Sequence, residues 1–305
     1  MQAFNNNREA KLSLVDFAAS RGELVSDSAQ KRETIFWSQH GWCPGSYVCQ
    51  KEGKCKHRFY ADEIGVPVAV AYAERSLFLQ LPDGMARRWW KDFLQAIPVG
   101  ADLDAAKVWK QLALYVLADK ENGLLNFAVT PEHIAAIRGV IALYEQDCTD
   151  KEAWEIATDD AIIAGSSRYN GGRMDGGEAN NQAGCEACDA AHYFARCFAD
   201  PRFASEALER AGWCFRYKVY AQHMSSQPNP RAAVPVDKDG MVNVGAALLA
   251  SGEWMEISDA GDRLGEAARR QHYERVSKHF LQLLKDSNGV SGGRRIMRRL
   301  LARFA

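Results

Sequence analysis

No apolar run in this chain approaches the roughly 20 residues that a membrane-spanning helix needs. The opening residues, MQAFNNNREAKLSL, hold no apolar stretch and no small-residue cleavage pattern, so no secretory leader is expected. An excess of one charge is also missing. The 38 basic and 39 acidic residues leave a net charge of −1, which argues against a dedicated nucleic-acid binder and against an acidic mimic of nucleic acid. The nucleophile elbow GxSxG, the zinc-protease helix HExxH and the phosphate-binding GxxxxGK[ST] are all absent. Acid pairs do occur, as Asp62-Glu63, Asp159-Asp160 and Glu253 with Glu256. Spacing alone does not separate a general acid and base from a solvated helix face, so these pairs do not point to an enzyme.

What the chain does have is apolar residue enough for a full core, 47% hydrophobic against 25% charged over 305 residues. With no span and no leader, the expected location is cytoplasmic, where thiols stay reduced. The eight cysteines therefore need a reason other than disulfides. They serve either as small core hydrophobes or as metal ligands.

Apolar residues recur at helical spacing over 8–20, 26–39, 67–81, 84–97, 103–119, 131–146, 151–164, 185–199 and 202–224, with a shorter helix at 58–63. Another helix is expected from Val244, and a last long one from Asp259 or Asp262 to Asp286. Asp83, Asp102 and Thr130 are the expected caps of their helices. The fold class is all-α, a multi-helix array. Gly-rich 165–184 and Pro-rich 225–240 read as loops. Residues 1–57 form an N-terminal helical region, 58–286 the main helical domain, and 287–305 a hinge with a basic segment.

Two groups of residues carry possible metal chemistry. Cys43, Cys49, Cys55 and His57 fall within fifteen residues of a Gly-containing loop. Thiolates with an imidazole suit a tetrahedral structural zinc, although the spacing is that of no standard finger. Plain structural cysteines are the alternative. Cys185 and Cys188 form CxxC, with His192 one helical turn further on. These sit in a helix with Ala183, Ala187, Ala191, Ala195 and Ala199 at four-residue spacing, so the packing reading is favoured there over a second metal.

The segment RRIMRRLLARFA at 294–305 places Ile296, Met297, Leu300 and Phe304 on one side. Arg294, Arg295, Arg298, Arg299 and Arg303 fall on the other. No acid follows Ser287, so this segment carries five positive charges. A basic amphipathic helix behind a glycine hinge suits docking on an acidic protein, on nucleic acid or on a membrane surface. It also suits packing on its own domain or on a second subunit.

CKHRFYADEIGVP at 55–67, LPDGMARRWWKDFLQAIPVGADL at 81–103, IAAIRGVIALYEQD at 134–147 and YERVSKHFLQLL at 273–284 together resemble a family of uncharacterised bacterial and phage helical proteins. The resemblance covers residues 55–285 and implies a helical fold rather than an activity. The chain departs from the pattern at the glycine-rich stretch, at PNPRAAVPVDKDG and in the basic segment after Asp286. The expected function is a non-enzymatic protein-binding or scaffold protein that self-associates. The phage and mobile-element contexts of similar proteins imply an inhibitor or modulator of a host protein complex such as a defence system. The alternative is a metal-dependent enzyme centred on one of the two cysteine groups.

Overall fold

A computed structural model of the chain describes residues 2–21, 60–61, 64–166, 176–228 and 244–287. Nine α-helices and no strand occur among these residues, as the all-α reading expects. They are α1 (Arg8–Arg21), α2 (Val68–Gln80), α3 (Asp83–Ala96), α4 (Ala105–Ala118), α5 (Pro131–Glu145), α6 (Lys151–Ala164), α7 (Gly176–Arg196), α8 (Ala204–Ser226) and α9 (Val244–Asp286). None of the described helices is long and apolar enough to cross a membrane.

Local chemistry sets several of the helix starts. Thr130 accepts from the His133 amide at 3.2 Å and Pro131 occupies the first helical position of α5. Asp150 does the same for α6 through the Glu152 amide at 3.0 Å. In α4 the cap is Asp104, which accepts from the Lys107 amide at 3.0 Å, two residues later than the expected Asp102. For α3, Pro82 stands at the cap position and Asp83 lies inside the first turn.

The AIPVGAD stretch between α3 and α4 receives the beginning of the chain. Ala3 donates its amide to Ala101 O at 2.8 Å, and Gly100 donates to Ala3 O at 2.9 Å. Gly100 has a φ of 74°, and a Cβ there would lie 2.5 Å from the Asn6 side chain. Only glycine meets both demands at low cost. Lys11 closes the carbonyl end of α3 by donating to Gln95 O and Ile97 O at 3.0 and 2.6 Å. These contacts explain that motif as structure, without chemistry.

One continuous core runs from Phe4 through Trp89, Phe93, Leu112 and Phe194 to Phe280 and Leu284. Helix α7 is its centre, packed against α8, α6 and α5, while α8 also meets α9 and α2. Ala183, Ala187, Ala191 and Ala195 are buried along α7, so small side chains let its neighbours approach closely. A smaller cluster of Ala179, Tyr220, Ala221, Met224 and Trp254 closes the end where α7 begins and α8 finishes.

Two further expectations are corrected. Residues 176–184, read as loop, are the first turns of α7. Burial there overrides weak helix propensity: Gly176 lies against Ser225 and Ala221, and Gly184 against the ring of His133. Second, α9 is one helix of 43 residues rather than two. Asp262, read as a start, gives its carboxylate to Arg216 at 2.9 Å, inside the helix. Trp89 and Trp90 are both buried, the first hydrogen-bonded to Glu74 and the second stacked on Phe78 of α2.

Candidate functional site

Helices α5 and α6 and the first turns of α7 enclose a half-open cleft of about 530 Å³. Thr130, Glu132 and His133 enter from the capped start of α5, and Ala135 and Ala136 follow one turn later. Asp160, Ile163 and Ala164 come from the end of α6, and Asn181 from α7. His133 lines the cleft and is buried. Its ring rests on Gly184, where a Cβ would come within 2.5 Å of Nδ1. The Val129 amide approaches Nδ1 at 3.5 Å, and the Ala164 backbone holds the imidazole as well. Burial lowers the His133 pKa, against the opposing effects of Ala164 and Glu132. Held by backbone on both sides, the imidazole is part of the wall of the cleft. Glu132 on the rim is exposed, and hydrogen bonds from its own backbone and from Thr130 hold its carboxyl below the usual range.

The outer face of α6 continues this cleft. Ile156 is 56% exposed and Ile163 68%, seven residues apart and so on one stripe. Glu152, Asp159 and Asp160 are interleaved with them and exposed. The helix carries four carboxylates against one lysine. Of the nine large hydrophobic side chains exposed among the described residues, Val129, Ile156, Ile162 and Ile163 all lie on α6 or immediately before α5. Apolar side chains bracketed by carboxylates form a surface complementary to an amphipathic cationic helix.

Two buried acid groups escape the sequence reading. Glu74 on α2 is 1% exposed and accepts from Tyr60 Oη at 3.1 Å and Trp89 Nε1 at 2.9 Å. Burial pushes its pKa up to about 8, outweighing these hydrogen bonds, the nearby Arg75 and a further bond from Trp90. Position 74 falls on the same stripe as Val70, Leu77 and Leu81, which is the signal that would have placed it inside. Glu186 and Asp189 are buried on α7 and share Arg210 of α8, at 3.0 and 3.8 Å. Glu186 also accepts from Gln182 at 2.9 Å. Closed off in helix seams, these groups serve packing.

The residues singled out by sequence fall as follows. Cys43, Cys49, Cys55 and His57 lie outside the described residues, as do Arg294, Arg295, Arg298, Arg299 and Arg303. Cys185 and Cys188 are buried in α7, and burial pushes the Cys188 thiol up to about 12. His192 is half-buried and turns its Nδ1 to the Thr158 carbonyl of α6 at 3.0 Å. Among the described residues no group of three or more His, Cys, Asp or Glu side chains is placed to hold a metal ion. Comparison with family models, with curated proteins and with solved structures gives no match to this chain.

Proposed function

We propose that the protein is a binding scaffold that holds other protein chains, copies of itself included, on exposed helix faces. The observation that carries this reading is the outer face of α6, where Ile156 and Ile163 stand exposed among Glu152, Asp159 and Asp160 beside the α5–α6 cleft. An edge helix with no partner on that face would ordinarily carry polar residues there. Well-buried acids elsewhere are held inside helix seams, which suits a rigid body that presents surfaces.

Native mass spectrometry of the full chain, before and after a chelator, is the test. An oligomer is expected for the unaltered chain. Ile156→Asp combined with Ile163→Asp is expected to shift it to monomer with the same helical circular dichroism, because both side chains are exposed. A chain that stays monomeric at every concentration sinks the self-association. The same spectra report whether a zinc is retained, which is the proposal for Cys43, Cys49, Cys55 and His57.

A further inference from the structure

Resting on the scaffold reading, we propose that residues 294–305 of one copy dock as a basic helix along the α5–α6 cleft of a second copy. The chemistry is complementary on both counts. Ile296, Leu300 and Phe304 recur every fourth residue and so form one apolar edge, with five arginines around the rest. The receiving surface has Ile156 and Ile163 as its apolar strip and Glu132, Asp159 and Asp160 along its sides. Helix-in-groove recognition uses this spacing of anchors, and opposite charges on the rim set the register.

The described part of α9 ends beside Asp92 of α3, which feels Lys285. Residues 288–293 fully extended cover ~21 Å, so a helix over 294–305 can swing well clear of that end. The self-association of the scaffold reading assigns the receiving cleft to a second copy, and mutual exchange closes a two-fold dimer.

The experiment uses the full chain with the photoreactive p-benzoylphenylalanine in place of Ile163, made as a mixture of light and heavy nitrogen isotopes. Irradiation is expected to join position 163 to peptides from 294–305, in mixed-isotope form. Charge reversal supplies a second arm that does not depend on the label. Asp159→Arg with Asp160→Arg, and separately Arg298→Asp with Arg299→Asp, are each expected to weaken self-association about tenfold. Combining the four is expected to restore it, which a merely misfolded variant would not do. Cross-links to 294–305 within a single copy overturn the exchange. Cross-links between copies that avoid 294–305 overturn this docking while leaving the scaffold reading intact. Arginine reversals that spare the dimer but abolish binding to anionic phosphatidylserine vesicles assign the segment to a lipid surface and overturn the proposal. A monomer throughout overturns both readings.

Discussion

Glu74 and His272 are both buried titratable groups, and they tie stability to pH in opposite directions. Burial raises the Glu74 carboxyl to about 8 and lowers the His272 imidazole to about 3. Between about pH 4.5 and 8 the folded chain holds a proton on Glu74 that the unfolded chain has lost, so this group's stabilisation falls as pH rises, by about 1.4 kcal/mol per pH unit. Between about pH 3 and 6.5 the unfolded chain protonates the histidine that the folded chain keeps neutral, so that contribution is lost as pH falls. His272 stacks on Phe215, and its Nε2 finds no hydrogen-bond partner among the described residues. The two slopes offset one another from about pH 4.5 to 6.5, leaving the Glu74 loss visible above that range. Thermal melts at several pH values are expected to show Glu74→Gln abolishing the alkaline decline, and an unchanged decline would sink the assignment. Arg210 poses a simpler case. Arg210→Met strands Glu186 and Asp189 in the α7–α8 seam, and denaturant unfolding is expected to show a loss of about 3–5 kcal/mol.

At the scale of elements, glycine separates what propensity says from what packing needs. Gly212 in α8 lies under Tyr273 of α9, where a Cβ would meet the phenol oxygen at 2.2 Å. A Cβ at Gly139 in α5 would stand in open space. Gly139→Ala is expected to stabilise by about 0.5–1 kcal/mol through helix propensity alone. Gly212→Ala gains the same propensity, yet Tyr273 is fully buried and must move, for a net loss of about 1–2 kcal/mol. Paired melting curves of opposite sign check this, and two gains would show that the α8–α9 seam yields easily. The same contrast explains the start of α7. Its glycines read as loop in one dimension, whereas Gly176 lies against Ser225 of α8 and Gly184 against His133 of α5 with no room for a Cβ.

Across the whole molecule, α9 acts as a long brace, meeting α8, α4, α3 and α2 along its 43 residues. Its end at Asp286 fixes where the linker to the basic segment begins. Shortening the linker at 288–293 should leave the proposed dimer intact until residues 294–305 no longer span to the second copy.

Helical periodicity was enough to establish the all-α class and most helix spans, because burial of one stripe per helix writes itself into the order of apolar residues. Thr130 and Pro131 marked the start of α5 for a similarly local reason. Chain order also displayed the arginines of 294–305 as a basic amphipathic run. Tertiary structure alone decided the rest. Ile156 and Ile163 look like core residues in sequence, and only the placement of α6 at the edge of the array leaves them exposed. Glu74 falls on the apolar stripe of α2, and only the convergence of α2 on Tyr60 and Trp89 supplies the donors that hold a carboxyl there. The cleft exists because α5, α6 and α7 meet there, a meeting of residues 130–136, 160–164 and 181 that no local pattern encodes. Periodicity reports which face of a helix is apolar, and packing determines whether that face is covered.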